Sequence, residues 1–252
     1  MQPEISIGPL DLQTFGICFA LAFLGAGALL ARRFSELGRP VDWAYEMGFA
    51  ALIGGLVGSR VDFLIQNYDE VSDDFLGNLL SGSGLVWFGG LIGGAAGVVI
   101  WAWRRDYVNL HLLDVFAPAG ALGYAIGRVG CQLSGDGDYG QPWDGPWAMA
   151  YPEGTVATDV PVHPTPIYET LAMGLLALLL WRLRDRLRPG ALFALFLVLH
   201  GIERLLVEFI RRNDELALGL TLAQLFSVAM IAAGAALLVR WRRDDGSLAA
   251  LR

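Results

Sequence analysis

Lysine is absent from the 252 residues; all 18 basic side chains are arginine. Charge of either sign is scarce, at 17% of residues against about 25% in an ordinary soluble domain. That shortage argues against a water-facing globule, because too little polar surface exists to cover one. A formal net charge of −7 removes the basic face that a nucleic-acid partner needs. Two cysteines, Cys18 and Cys131, make neither a disulfide framework nor a zinc spacing. Histidine is limited to His111, His163 and His200. No internal repeat is visible, direct or inverted, which counts against a transporter.

Apolar length is abundant instead. Hydrophobic residues make up 55% of the chain, and the mean hydropathy is +0.49. Seven segments reach spanning length: Thr14–Ala31, Trp43–Gln66, Leu85–Trp103, His111–Gly130, Pro166–Leu183, Gly190–Ile210 and Gly219–Arg240. About 20 apolar residues cross a hydrocarbon layer of roughly 30 Å. Backbone groups in lipid must be satisfied within each segment, so the expectation is an all-α integral membrane protein with seven transmembrane helices. The chain reads as a single seven-helix membrane domain over residues 1–252. The first segment has Glu4 and Asp11 before it and Arg32–Arg33 after it, the pattern of an anchor and not of a cleaved signal peptide.

Arginine placement predicts the orientation. With the N-terminus outside and the C-terminus cytoplasmic, thirteen arginines fall in cytoplasmic stretches: Arg32, Arg33, Arg39, Arg104, Arg105, Arg182, Arg184, Arg186, Arg188, Arg240, Arg242, Arg243 and Arg252. Only Arg211 and Arg212 fall outside. That is a strong positive-inside bias.

Arg60, Arg128 and Arg204 remain, within or at the outer ends of spanning segments. Such a residue must face a protein interior or a wet cavity, and defaults to a functional reading. For Arg60, with Asp62 beside it, snorkelling to the headgroups or pairing with an acid is as good a reading as a functional one. Arg204 belongs to a stripe with His200, Glu208 and Arg211, spaced i, i+4, i+8 and i+11. At about 100° per residue these fall within roughly 80° on one helix face, which cannot face lipid. Arg204 and Glu208 are placed to pair, while Glu203 lies just off the stripe. Glycines flank the third and fourth segments (Gly89, Gly90, Gly93, Gly94 and Gly97; Gly120, Gly123 and Gly127). Close helix packing explains them, and room for a lipid is the sharper alternative.

The longest loop is the outer stretch Cys131–Pro164, 34 residues. Its Gly135-Asp136-Gly137-Asp138-Tyr139-Gly140 run mimics a calcium loop, but Trp147 stands where the bidentate glutamate belongs. Trp143, Trp147 and Tyr151 suit a headgroup interface. His163-Pro164-Thr165-Pro166-Ile167-Tyr168-Glu169 closes it, with Glu169 near a helix N-terminus, where an acid is favoured anyway.

Four motifs in register carry a resemblance: Gly84 to Gly94, with Trp87-Phe88-Gly89-Gly90-Leu91 inside it; Gly127-Arg128-Val129-Gly130-Cys131 with Asp136 to Gly140; His163 to Glu169; and Arg204 to Glu208-Phe209-Ile210-Arg211. Over nearly the whole chain these resemble the prolipoprotein diacylglyceryl transferase family. The resemblance implies a multi-pass enzyme of the bacterial plasma (inner) membrane. It would move the diacylglyceryl group of phosphatidylglycerol to the lipobox cysteine thiol of a pre-lipoprotein signal peptide, releasing glycerol 1-phosphate. Arg128 and Arg204 would bind the phosphate and stabilise the leaving group, as a planar fork of donors that stays charged in a membrane. Phe88, Cys131, Asp136, Gly140, Tyr168 and Glu208 would complete the substrate site.

This chain departs from the family where Phe88 replaces a common histidine or tyrosine, Cys131 an asparagine and His200 a tyrosine. One extra residue also precedes Gly140. The thiol must lose a proton, and His163 and His200 are both candidates to accept it; His111 reads as structural. No metal or organic cofactor is expected, since no cluster has ligand spacing. The competing readings are a relative that binds phospholipid without transferring it, and a small membrane carrier.

Overall fold

The computed structural model describes residues 1–7, 10–68, 86–213, 215–217, 219–245 and 247–249. Seven helices run through them: α1 (Thr14–Glu36), α2 (Asp42–Gln66), α3 (Trp87–Arg104), α4 (Leu110–Ser134), α5 (Thr165–Leu183), α6 (Ala191–Glu208) and α7 (Leu222–Asp245). Each overlies one of the seven apolar segments. Five of them, α1, α2, α4, α5 and α7, are long and apolar enough to cross a membrane. The other two are shorter: α3 and α6 have 18 residues each, and α6 carries Glu203, Arg204 and Glu208. This is an all-α membrane protein. Residues 84 and 85 of the first motif lie outside the described residues.

Among the described residues, three two-stranded antiparallel hairpins, unannounced by any long alternating run, decorate the connections: β1 (Glu4–Ile7) with β2 (Leu10–Gln13), β3 (Met149–Tyr151) with β4 (Thr158–Val162), and β5 (Glu215–Ala217) with β6 (Leu220–Thr221).

The described chain forms two compact units, Met1–Leu29 with Leu113–Arg252, and Leu30–Leu112. In the second, α2 and α3 meet through glycine. A Cβ on Gly54, Gly58 or Gly93 would fall inside contact distance of a backbone carbonyl on the facing helix. The packing explanation therefore holds for these residues, because any side chain would hold the helices apart. Phe34, Trp43, Trp101 and Tyr107 close that unit edge to face, with centroids 5.2–6.3 Å apart. Arg39 lies over Trp43 and Tyr107, and Glu46 accepts from Trp101 Nε1 at 2.8 Å and from Arg105.

The first unit packs α4, α5 and α6 around Ala117, Ala121, Ala125, Met173, Leu180, Leu192 and Phe196. Small alanines on α4 let the larger residues of α5 and α6 fill the space between. The start of α6 is fixed from α4: Asp114 accepts the Gly190 N–H at 2.6 Å and the Phe193 N–H at 2.9 Å. A helix start in lipid has orphan N–H groups, and this carboxylate supplies their partner. On α7's side, a Cβ at Gly201 would sit 2.9 Å from the Ser227 carbonyl oxygen. Tyr139, Tyr151 and Val162 form a small core beneath the β3–β4 hairpin.

Candidate active site

Arg128 lies in the penultimate turns of α4, with Tyr124 one turn before it and Cys131 one turn after. The helix continues to Ser134, so Cys131 is helical and the outer loop begins at Gly135 rather than at Cys131. Gly135 and Gly137 take positive φ (59° and 93°) and turn the loop sharply. That turn brings Asp138 back beside Arg128. The N-terminus of α5, begun by Pro164-Thr165-Pro166, delivers Glu169. The C-terminal half of α6 supplies His200, Glu203, Arg204 and Glu208, and Arg211 follows after the helix ends at Glu208.

These residues form one network inside the first unit. Arg128 pairs with Asp138 through Nη1, with Glu169 Oε2 through Nε at 3.2 Å, and donates from Nη2 to the Tyr124 hydroxyl at 2.8 Å. Tyr124 in turn donates to Glu169 Oε1 at 2.8 Å. Arg211 reaches Asp138 through Nη2 and Glu169 Oε2 through Nη1 at 3.4 Å. Arg204 holds Glu208 Oε2 at 2.8 Å and lies 3.8 Å from Glu169 Oε1. Asn213 and Thr221 donate to Glu208 Oε1, at 2.8 and 2.6 Å. Glu169 is fully buried, at the centre of three guanidinium groups.

Three arginines are thus balanced by three carboxylates, a condition for charges to survive burial at all. Two atoms of the Arg204–Glu208 pair, Arg204 Nη1 and Glu208 Oε2, are buried with no aligned hydrogen bond among the described residues. In the loop, burial disfavours the charge of Asp138, yet Arg128 and Arg211 outweigh it and hold the carboxyl below the usual range. Burial pushes the neighbouring Asp136 up, and Asp138 adds to the effect.

The prolipoprotein diacylglyceryl transferase model matches residues 3–240. The chain belongs to that family. Three relatives carry the name phosphatidylglycerol–prolipoprotein diacylglyceryl transferase. One from Dehalococcoides mccartyi is 36% identical over 90% of this chain and 88% of its own length. One from Chromohalobacter salexigens is 34% identical over 98% and 95%. One from Clostridium tetani is 32% identical over 82% and 83%.

Against this family background, the fold sorts the residues singled out in the sequence. Arg128, Arg204 and Glu208 meet in the network, with Cys131 Sγ 3.7 Å from Arg128 Nη1. His200 packs edge-on to Tyr124, centroids 5.1 Å apart, and places Nδ1 3.5 Å from Glu203 Oε2. His163 and Tyr168 belong to an aromatic cluster beside it: His163 stacks on Trp143 at 4.3 Å, its Nδ1 is 3.3 Å from the Tyr168 hydroxyl, and Trp147 Nε1 donates to that hydroxyl at 2.7 Å. Gly140 holds the loop to the exit of α6. A Cβ there would lie 2.5 Å from the Ile210 carbonyl oxygen, and the Gly140 N–H donates to His163 O at 2.8 Å. Asp136 accepts the N–H of Asp138 at 3.2 Å and shapes the turn. Phe88 lies in the first turn of α3, in the second unit.

One sequence expectation needs correction. Carboxylates do cluster at ligand spacing, because Cys131, Asp136 and Asp138 bring one donor atom each within 4.8 Å. Both oxygens of Asp138 are already on arginines, and Arg128 lies against the thiol, so a guanidinium occupies the cation's place. Sequence reasoning missed Asp138, Glu169, Tyr124 and the inward role of Arg211. Arg211 had a signal, its place on the polar stripe, and Tyr124 stands one helical turn from Arg128. An open apolar groove of about 470 Å³ runs between α5 and α6, lined by Met173, Leu176, Leu199 and Ile202, with Tyr168 and Glu203 as its polar members.

Proposed function

We propose that the chain transfers the diacylglyceryl group of phosphatidylglycerol to the lipobox cysteine thiol of a pre-lipoprotein, at the outer face of a bacterial plasma membrane. Glycerol 1-phosphate is released. The observation that carries the reading is the buried Arg204 Nη1, which makes no aligned hydrogen bond among the described residues and lies 3.8 Å from the Glu169 carboxylate that Arg128 and Arg211 share. An unsatisfied guanidinium donor in a membrane interior is costly unless an anion completes it. A phosphodiester is such an anion, and its headgroup enters with two acyl chains that lipid already solvates.

The site residues take the following roles. Arg128 and Arg204 bind the phosphate; as the C–O bond to the diacylglyceryl carbon breaks, charge grows on the departing oxygen and both guanidinium groups stabilise it. Glu169 and Asp138 hold the arginines in place before substrate arrives, so no reorganisation is needed during the reaction. Tyr124 fixes the orientation of Arg128. Cys131 and Asp136 border the headgroup position, Glu208 anchors Arg204, and Gly140 seats the loop. Tyr168 and His163 line the approach from the aromatic cluster. The donor, the pre-lipoprotein signal peptide and the surrounding membrane lipid are the partners.

The purified chain, phosphatidylglycerol and a lipobox peptide together test this. The expected mass-spectrometric result is a diacylglyceryl increment on the peptide cysteine. Phosphatidylglycerol binding without that increment would sink the transferase reading in favour of a phospholipid-binding relative.

A further inference from the structure

Both carboxylate oxygens of Glu203 are buried, and neither has an aligned hydrogen bond among the described residues. The side chain is only 10% exposed, at the edge of the apolar groove between α5 and α6. One turn earlier, His200 Nδ1 is also buried without an aligned hydrogen bond, and stands 3.5 Å from Glu203 Oε2. Two orphaned polar groups on adjacent turns resolve each other if they share a proton. Hydrogen bonds of this length in an unliganded site tighten when substrate binds.

The transfer reaction needs a proton acceptor. The three arginines cannot serve, and Asp138, Glu169 and Glu208 are engaged by them. His163 is held between Trp143 and the Tyr168 hydroxyl. His200 is one ring away from Arg128, because Tyr124 touches it edge-on and hydrogen-bonds to Arg128. The charged and titratable groups around the couple are Tyr124 and Arg128 from α4, Glu169 and Tyr168 from α5, and Arg204 on α6.

We propose that His200 accepts the thiol proton and that Glu203 is the positioning residue that fixes its tautomer. This inference rests on the transferase reading above. With Nδ1–H directed at Glu203, the lone pair of Nε2 is left for the substrate. The thiol gives its proton to Nε2, the sulfur electron pair forms the C–S bond, and the C–O bond breaks with its pair going to the phosphate oxygen. The proton then passes from Nε2 to the departing phosphate monoester, so the imidazole returns neutral.

A selenocysteine lipobox peptide provides the test, because its selenol is already ionised at neutral pH and needs no base. With the full chain in detergent, His200→Ala is expected to slow the thiol peptide by about a hundredfold, the usual reach of a general base. On the selenol peptide the same variant should run within a few-fold of wild type. Glu203→Gln should show a smaller loss with the same rescue, and nitrogen-15 spectra should show the Nδ1–H tautomer of His200 replaced in that variant. Arg128→Ala should be slow on both peptides. His200→Ala that matches wild type on the thiol, or is slowed equally on both peptides, overturns the proposal. So does a Glu203→Gln protein with an unchanged His200 tautomer. A wild-type chain that alkylates neither peptide fails the transferase reading itself, a separate outcome.

Discussion

At the scale of single residues, the guanidinium fork decides function, and its counter-charges decide stability. Arg128 and Arg204 each carry a planar set of donors, and lysine would keep the charge while losing the fork. Arg128→Lys and Arg204→Lys should therefore impair transfer, and either alanine variant should lose about a hundredfold in rate, roughly 3 kcal/mol of leaving-group stabilisation. Arg104→Ala, in the last turn of α3, is the control expected near wild type; single-turnover transfer of radiolabelled lipid to peptide reads all of these. Asp138 belongs to the other side of the balance. It answers both Arg128 and Arg211, so Asp138→Asn leaves one partly buried and one buried cation short of a partner, at a cost on the order of 3 kcal/mol. Burial opposes its ionisation, but the two arginines prevail and lower its proton affinity. A depressed folded-state value means its contribution is full above the ordinary carboxylate range and drains away as pH falls through the lowered value. Thermal melts in detergent should show wild type losing stability on acidification more steeply than Asp138→Asn. Parallel pH profiles would contradict the assignment.

Elements show where sequence was readable and where it was not. The seven helices were legible because lipid permits a segment only one satisfied backbone form, and apolar runs mark it. Their ends were less so: α4 runs on through Gln132 and Ser134, whose polarity hides the last turn, and Cys131 thereby changes from loop to helix. The hairpins escaped because two- to five-residue strands leave no periodic signal. The arginine pair was legible from the price of burying charge, whereas Glu169 was not, since an acid at a helix start already has a local explanation. Only the fold brings Arg128 from α4 and Arg204 and Arg211 from the α6 stretch onto it together. The contact between Asp114 and the start of α6 is of the same kind, joining residues 76 positions apart. Asp114→Ala should leave the Gly190 and Phe193 N–H groups without that acceptor, and lower stability by about 1–2 kcal/mol, the usual worth of an N-cap. Because α6 carries His200, Arg204 and Glu208, transfer should fall as well, while Asp114→Asn should recover part of both. A melt of Asp114→Ala indistinguishable from wild type would show that the cap contributes nothing.

For the whole molecule, we propose the orientation that the arginine distribution predicts, with the N-terminus outside. Of the two arginines assigned to the outer side, Arg211 is buried in the network and answers Asp138 and Glu169, so it does not act as a free loop charge. Arg212 remains, lying over the Tyr139 ring at 4.8 Å. In that orientation the thirteen arginines of the cytoplasmic stretches would face almost no competing exposed basic charge, which is the condition under which loop charge sets topology. The same orientation would put the Gly135–Pro164 loop, the aromatic cluster and the exit of α6 together on the outer face, where a secreted peptide would arrive and where Trp143, Trp147 and Tyr168 would meet headgroups. A reporter active only outside the cytoplasm should be active when fused after Asp144 and silent when fused after Arg252. Replacing Arg104, Arg105, Arg182, Arg184, Arg186 and Arg188 by glutamine should weaken that contrast, because it removes basic charge from two connections assigned to the cytoplasmic side at once. The inverse pattern in the unaltered chain, silent after Asp144 and active after Arg252, would place the arginine network on the cytoplasmic side and leave it out of reach of any exported cysteine.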